Sequence, residues 1–523
     1  MKAMIVFLQR KVDSMHEHTS FQHTVFRLTA IWTALFSLLA HGYRYLSLSF
    51  SGDSMLLAQV GEEAYQISLG RFMQPLYWLI RGYITAPFLI GLFAACFLWL
   101  SAVVIVHLMK LRKPLHIAFV CGVLTANETM AVSNATYLPW TDVYALALLL
   151  SLLGVYVFMK LRFGFFISPI LYCLSLGLYQ SYLPAAAAML ILLFLFSALD
   201  GEPPAVIWKR GLLSCLSLLL GLLLYALVLR ILLSITGGQA SQDYNGVGRV
   251  GLVPFSEIPA LLLGTFLDPL RLLFSLSDTP VMTWHITTVP QLLNILLFSL
   301  SALLLVIKGR RLRPGAWLTI AFLLLVLPLG VNFIQFISKG ISSGLTIFSY
   351  NLLYLLPIGL LSRMQPLRLP MRLICAGVCT LLCTFFALNI RTSNTMALKR
   401  DLEFSATTSA ISRLLDQAER IEGYEPGKTP VVLLGMLPTS QIAMERSGFE
   451  TIARAQGMRY TYGASYETAN YWYLQMALGE RVNLVPHAER IQLSQHPSAG
   501  TLPLFPQEGC CAMIDGYLYI RIS

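Results

Sequence analysis

Residues 84–113 read ITAPFLIGLFAACFLWLSAVVIVHLMKLRK, an apolar run over 84–108 that ends on Lys110, Arg112 and Lys113. A bilayer core takes about 20 helical residues, so this run is long enough to cross one. Lys and Arg collect in short cytoplasmic loops, so the run ends inside. The pattern recurs at 26–46, 115–133, 142–159, 164–180, 183–199, 211–236, 287–307, 315–337, 345–362 and 373–391. Runs of that length satisfy their backbone only as helices, which excludes a barrel. The expected fold is a polytopic α-helical membrane protein of about eleven transmembrane helices.

Composition and charge agree with this reading. The chain has 523 residues, 56% hydrophobic and 12% charged, against about a quarter charged in soluble domains. Its net charge of +11 does not form one patch for nucleic acid. With the N-terminus inside, the internal loops hold Lys110, Arg112 and Lys113; Lys160 and Arg162; Lys209 and Arg210; Lys308, Arg310, Arg311 and Arg313; and Arg363, Arg368 and Arg372. A missed or extra helix would have inverted every later loop. Residues 1–25, where Lys2, Arg10 and Lys11 flank a run too short for a signal peptide, read as a cytoplasmic tail.

The external loops are then 47–83, the turn around Tyr137–Asp142, and 237–286, with an extracytoplasmic domain over 392–523. Phe72–Ile84 and Ile258–Leu276 have the pattern of interfacial helices. TGGQASQDYNGVGRV at 236–250 reads as a Gly-rich loop. The tail predicts a small α/β domain: a helix over 401–421, a strand at Val431–Leu437, a helix near 439–456 and a hairpin at Asp515–Gly516. Tyr460, Tyr462, Tyr466, Tyr471, Trp472 and Tyr473 suit either sugar stacking or packing. Of the nine cysteines, seven fall in apolar runs with no metal-ligand partner beside them. Cys510 and Cys511 are adjacent in the tail, as two free thiols or a vicinal disulfide.

Carboxylates near the outer membrane surface are costly unless they do something. FSGDSMLLAQVGEEAYQISLGRF at 50–72 carries Asp53, Glu62, Glu63, Tyr65 and Arg71 in the first external loop. Asp53 is placed to act as a general base on a lipid-carried substrate, or to cap a helix starting near Ser54. Glu62 and Glu63 are adjacent, so at most one faces a site. Arg71 could clamp a phosphate or form a structural ion pair. Arg230, in the apolar YALVLRILL, could bind an anionic head group or snorkel to the surface. Glu128, in TANETMAV, lies inside an apolar run and has no capping explanation there. Asp142 opens the fourth run, facing the same outer cavity or complementing a helix N-terminus. No P-loop, dinucleotide fingerprint, HExxH motif or nucleophile elbow is present.

YQISLGRFMQPLYWLIRGYI at 65–84, NATYLPWTDVYALALLL at 134–150 and NIRTSNTMALKRDLEFSATTSAISRLLDQAERI at 389–421 resemble the bacterial serotype-converting glucosyltransferases that decorate O-antigen. The resemblance implies a GT-C-like plan in the bacterial inner membrane and an acidic catalytic role for Asp53. It also implies a glucose donor on undecaprenyl phosphate, an acceptor on a lipid-linked O-antigen or other cell-surface glycan, and partners in a flippase and a donor-synthesising glycosyltransferase. Ser54 follows Asp53 where many members pair two acids, so the second acid would come from Glu62, Glu63 or Glu128. In the mechanism this predicts, Asp53 deprotonates an acceptor hydroxyl, whose oxygen displaces polyprenyl phosphate with inversion. Arg71 or Arg230 would balance charge on the leaving phosphate, a task a divalent cation (Mg2+ or Mn2+) could share.

Two other readings keep the same spans. A lipid-linked-sugar flippase or transporter should carry midplane charges and inverted repeats, and the sequence shows no repeat. An O-antigen polymerase or ligase differs only in activity.

Overall fold

The computed structural model describes residues 2–49, 63–240, 254–274, 289–337, 345–365, 368–435, 479 and 481–522. Asp53, Glu62, the helix expected near 439–456 and the aromatic cluster at 460–473 lie outside them, as does 241–250 of the Gly-rich segment. In chain order the α-helices are α1 Lys2–Leu46, α2 Glu63–Ser68, α3 Met73–Arg81, α4 Pro87–Met109, α5 Pro114–Thr125, α6 Glu128–Thr136, α7 Thr141–Lys160, α8 Gly164–Leu178 and α9 Leu183–Leu199. They continue with α10 Pro204–Thr236, α11 Ile258–Phe274, α12 Val289–Gly309, α13 Pro314–Ile337, α14 Leu355–Ser362, α15 Leu369–Glu419 and α16 His487–Leu493.

Among the described residues all eleven expected runs are helical, but they are not eleven equal spans. Eight helices are long and apolar enough to cross a membrane. The run read as one span over 115–133 is broken: α5 and α6 meet at 40° and count as a ninth only if taken together. The break follows from Asn127, whose extended backbone (φ −143, ψ 160) ends one helix while its side chain accepts the Met130 amide and caps the next. The runs at 164–180 and 345–362 are shorter pieces, α8 with 15 residues and a 3-10 stretch Phe348–Tyr354 that passes into α14.

Proline in the first turn starts α4, α5 and α10, where its missing N–H costs no helical bond. Lys110 (φ 56) and Gly237 (φ 64) close α4 and α10 in the left-handed conformation. Burial separates the centre from the rim. Over Gln180–Leu199, which takes in α9, 89% of the most apolar stretch is buried, against 17% in α10. Leu212, Leu219, Leu223 and Leu227 of α10 are exposed, an apolar face suited to lipid.

Helix α15 runs unbroken for 51 residues, through 392–400, where the sequence pattern had left a gap. Its far end carries Ala410, Ile411, Leu414 and Ala418 onto a small sheet. Among the described residues the sheet has four strands, β1 Pro430–Leu434, β2 Asn483–Leu484, β3 Cys511–Ile514 and β4 Tyr517–Arg521, in the order β2-β1-β4-β3. Strand β1 is parallel to both neighbours, and β3 with β4 forms the expected hairpin. Its turn residues Asp515 (φ 49) and Gly516 (φ 83) are both left-handed, as a two-residue hairpin requires.

Candidate functional site

The 40° break between α5 and α6 puts Glu128 in the first turn of a short helix, half-buried, at the wall of a cavity of about 40 Å³. Thr129, Asn294, Tyr350, Asn351, Tyr354 and Asn389 supply the rest of its polar lining. These side chains come from α6, α12, the 3-10 stretch and α15, and with Leu272 and Leu273 of α11 five elements meet there. A carboxylate at a helix N-terminus is electrostatically favourable, which offsets part of its cost inside an apolar bundle.

The lining is ordered by its own bonds. The Tyr354 hydroxyl donates to Asn294 Oδ1 at 2.7 Å, and Asn294 Nδ2 donates to the Leu273 carbonyl at 3.2 Å. Glu128 is within electrostatic reach of Tyr354. Asn351 Nδ2 donates to the Phe348 carbonyl at 3.1 Å and Asn389 Nδ2 to the Phe385 carbonyl at 3.0 Å. Among the described residues neither asparagine bonds through Oδ1, and the buried Tyr350 hydroxyl has no partner. Amide acceptors, a phenol donor and a carboxylate around one space suit a hydroxyl-rich ligand, and the carboxylate is the group that can take a proton from it.

The other described residues singled out from sequence do not line this cavity. Asp142 is fully buried and held by Arg81 Nη1 at 3.2 Å and the Tyr77 hydroxyl at 2.8 Å. Burial, and then Asp142, push the Tyr77 phenol above its ordinary range. Arg81 also donates to the Pro139 carbonyl at 2.8 Å, so α3 is pinned to the start of α7. Glu63 is exposed and accepts from Tyr83 at 2.9 Å, a bond that raises the Tyr83 phenol. Tyr65 is exposed. Arg71 is buried with its guanidinium 4.9 Å from the Tyr179 ring centre, a cation–π contact. Arg230 is exposed on α10, with no ion pair among the described residues.

Sequence reasoning missed Asn294, Tyr350, Asn351, Tyr354 and Asn389. The signal available was amides inside apolar runs, as in VPQLLNILL and FFALNIR. Such amides are common helix-to-helix links, so alone they do not announce a site. Arg81 was missed because its partner Asp142 is 61 residues away. Among the described residues no three or more His, Cys, Asp or Glu gather as a metal site.

In comparison with known proteins, residues 43–362 fit the model of the glucosyl transferase GtrII family. The matched region takes in every element that lines the cavity except α15. No curated protein and no solved structure matches significantly.

Proposed function

Because this chain belongs to the GtrII glucosyl transferase family, we propose that it moves glucose from a polyprenyl-phosphate carrier to a lipid-linked O-antigen or other cell-surface glycan at the outer face of the bacterial inner membrane. The observation that carries the reading is the cavity at Glu128, where one carboxylate, amide carbonyls and tyrosines surround a space within an apolar bundle. Glucose presents several hydroxyls to such a lining. The donor is itself a lipid, which suits a chain whose bulk is apolar helix.

In this mechanism a carboxylate takes the proton from the acceptor hydroxyl as its oxygen attacks the anomeric carbon. Polyprenyl phosphate leaves from the opposite side, with inversion. Glu128, at the cavity, is the described carboxylate we assign to this step, and the resemblance implies an acidic catalytic role for Asp53 as well. Arginine charge stabilises the leaving phosphate as it develops, which lowers the barrier and does not merely tighten binding.

The test supplies membranes holding the chain with radiolabelled glucose on polyprenyl phosphate, or on a nucleotide, together with an unglucosylated acceptor. Label passing to glycan from the lipid donor alone is the expected result. Transfer from the nucleotide donor alone would overturn the donor assignment. Label crossing the membrane without transfer would favour a flippase.

A further inference from the structure

Helix α6 is nine residues long, too short to hold its own place, so what grips its ends decides where Glu128 stands. The last four carbonyls of a helix have no partner further along it, and inside an apolar bundle each needs one. In α5 the Gly122 carbonyl accepts from the Ala126 amide at 2.8 Å, and Asn127 Nδ2 donates to the Val123 and Leu124 carbonyls at 3.0 and 3.1 Å. The break thus satisfies all but one of its own. The Thr125 carbonyl is the exception, and it accepts from His41 Nε2 of α1 at 2.9 Å. A carbonyl can only accept, so Nε2 carries the ring hydrogen.

The other end of α6 is tied in the same way. Arg44 of α1 donates through Nε to the Asn134 carbonyl at 3.0 Å, and Arg400 of α15 donates through Nε to the Ala135 carbonyl at 3.3 Å. His41 and Arg44 are both buried and lie at i and i+3, hence on one face of α1. One helix therefore reaches the backbone on both sides of Glu128, just ahead of α6 and in its last turn. Neither side chain lines the cavity, so any effect on a ligand there passes through α6.

We propose that His41 and Arg44 are positioning residues for Glu128: from one face of α1 they clamp α6 at both ends and fix how far its carboxylate stands from an acceptor hydroxyl. A carboxylate takes a proton only within hydrogen-bond reach, and a displacement of about 1 Å can cost about 10²-fold in rate. The larger share falls to His41, which supplies the described donor at its end, whereas arginines from two helices divide the last turn. That Glu128 is the base rests on the proposed function; the clamp on α6 does not.

Two measurements on the purified full chain in detergent test the clamp. One is kcat and donor KM for glucose transfer from polyprenyl-phosphate-glucose. The other needs no transfer and follows the rate at which a hydrophobic carbodiimide labels Glu128. His41→Leu should lower kcat about 10²-fold at unchanged donor KM and label Glu128 at a several-fold different rate. His41→Gln, which puts an amide N–H at similar reach, should recover most of both. A folded His41→Leu with native kcat or native labelling, a loss confined to donor KM, or a His41→Gln no better than His41→Leu would overturn the proposal. Should His41→Leu not fold, His41→Asn, whose amide is too short to meet Thr125, is read in the same way. If neither folds, Arg44→Lys decides, since it keeps the charge without the fork: lower kcat at native donor KM supports the clamp, and native kcat overturns it. A native chain that transfers no glucose, while His41→Leu alters the labelling of Glu128, would sink the proposed function and leave the clamp standing; unaltered labelling would sink both.

Discussion

Replacing Arg81 by methionine should destabilise the helical bundle more than any surface substitution, because it strands a charge. Arg81 and Asp142 are 1% and 0% exposed and 3.2 Å apart. Removing one partner of a buried pair costs about 3–5 kcal/mol, since the remaining charge has no counter-ion. At about 1.4 kcal/mol per tenfold, that raises the unfolding equilibrium by roughly 100- to several-thousand-fold. Asp142 would keep the Tyr77 hydroxyl and the Val143 amide, so the lower half of the range is expected. Removing both charges in Arg81→Met/Asp142→Leu should recover much of the loss. The assay is thermal unfolding in detergent, followed by labelling of the buried thiols of Cys121 and Cys173. The reasoning fails if Arg81→Met unfolds at the native temperature, or if the double variant loses as much as the two single variants summed.

Gly70→Ala should loosen the segment before α3: Gly70 has φ +77 and an added Cβ would lie 2.1 Å from the Tyr225 hydroxyl oxygen, which predicts a lower unfolding temperature and faster proteolysis at 68–72. Gly164→Ala should be harsher, because its Cβ would meet the Val157 carbonyl oxygen at 2.0 Å and backbone cannot rotate away; a loss of folded protein on size exclusion checks it. In the terminal domain, burial pushes the Cys511 thiol up to about 12 and raises that of Cys510. Both should therefore alkylate slowly at pH 8 until the domain unfolds. Thiols held above their unfolded value of about 9 stabilise the fold below that pH and lose the contribution as pH rises towards about 12, so stability to heat should decline across that window.

Much of the architecture is legible in the chain because apolar runs and basic loops obey short-range rules. Among the described residues eight of the eleven runs appear as helices long and apolar enough to cross a membrane, and the Asp515–Gly516 hairpin was readable from its turn residues. The break at Asn127 was not, because the run around it stays apolar, and the cap declares itself only through the Met130 amide bond. Glu128 stood out as a carboxylate within an apolar run, and the structure places it on a cavity. Its neighbours Asn294, Tyr354 and Asn389 come from residues 166 to 261 positions further on, and no local pattern links them. Arg44 and Arg400 bond the adjacent Asn134 and Ala135 carbonyls from residues 90 and 265 positions away in the chain, links visible only in three dimensions.

The most direct measurement is glucose transfer from polyprenyl-phosphate-glucose by native, Glu128→Gln and Asp53→Asn chains at matched protein level. The account predicts that Glu128→Gln lowers turnover by about 10²–10⁴-fold, the usual reach of a general base, while donor binding persists. Native turnover in Glu128→Gln, with loss confined to Asp53→Asn, would contradict it and move the chemistry away from the cavity.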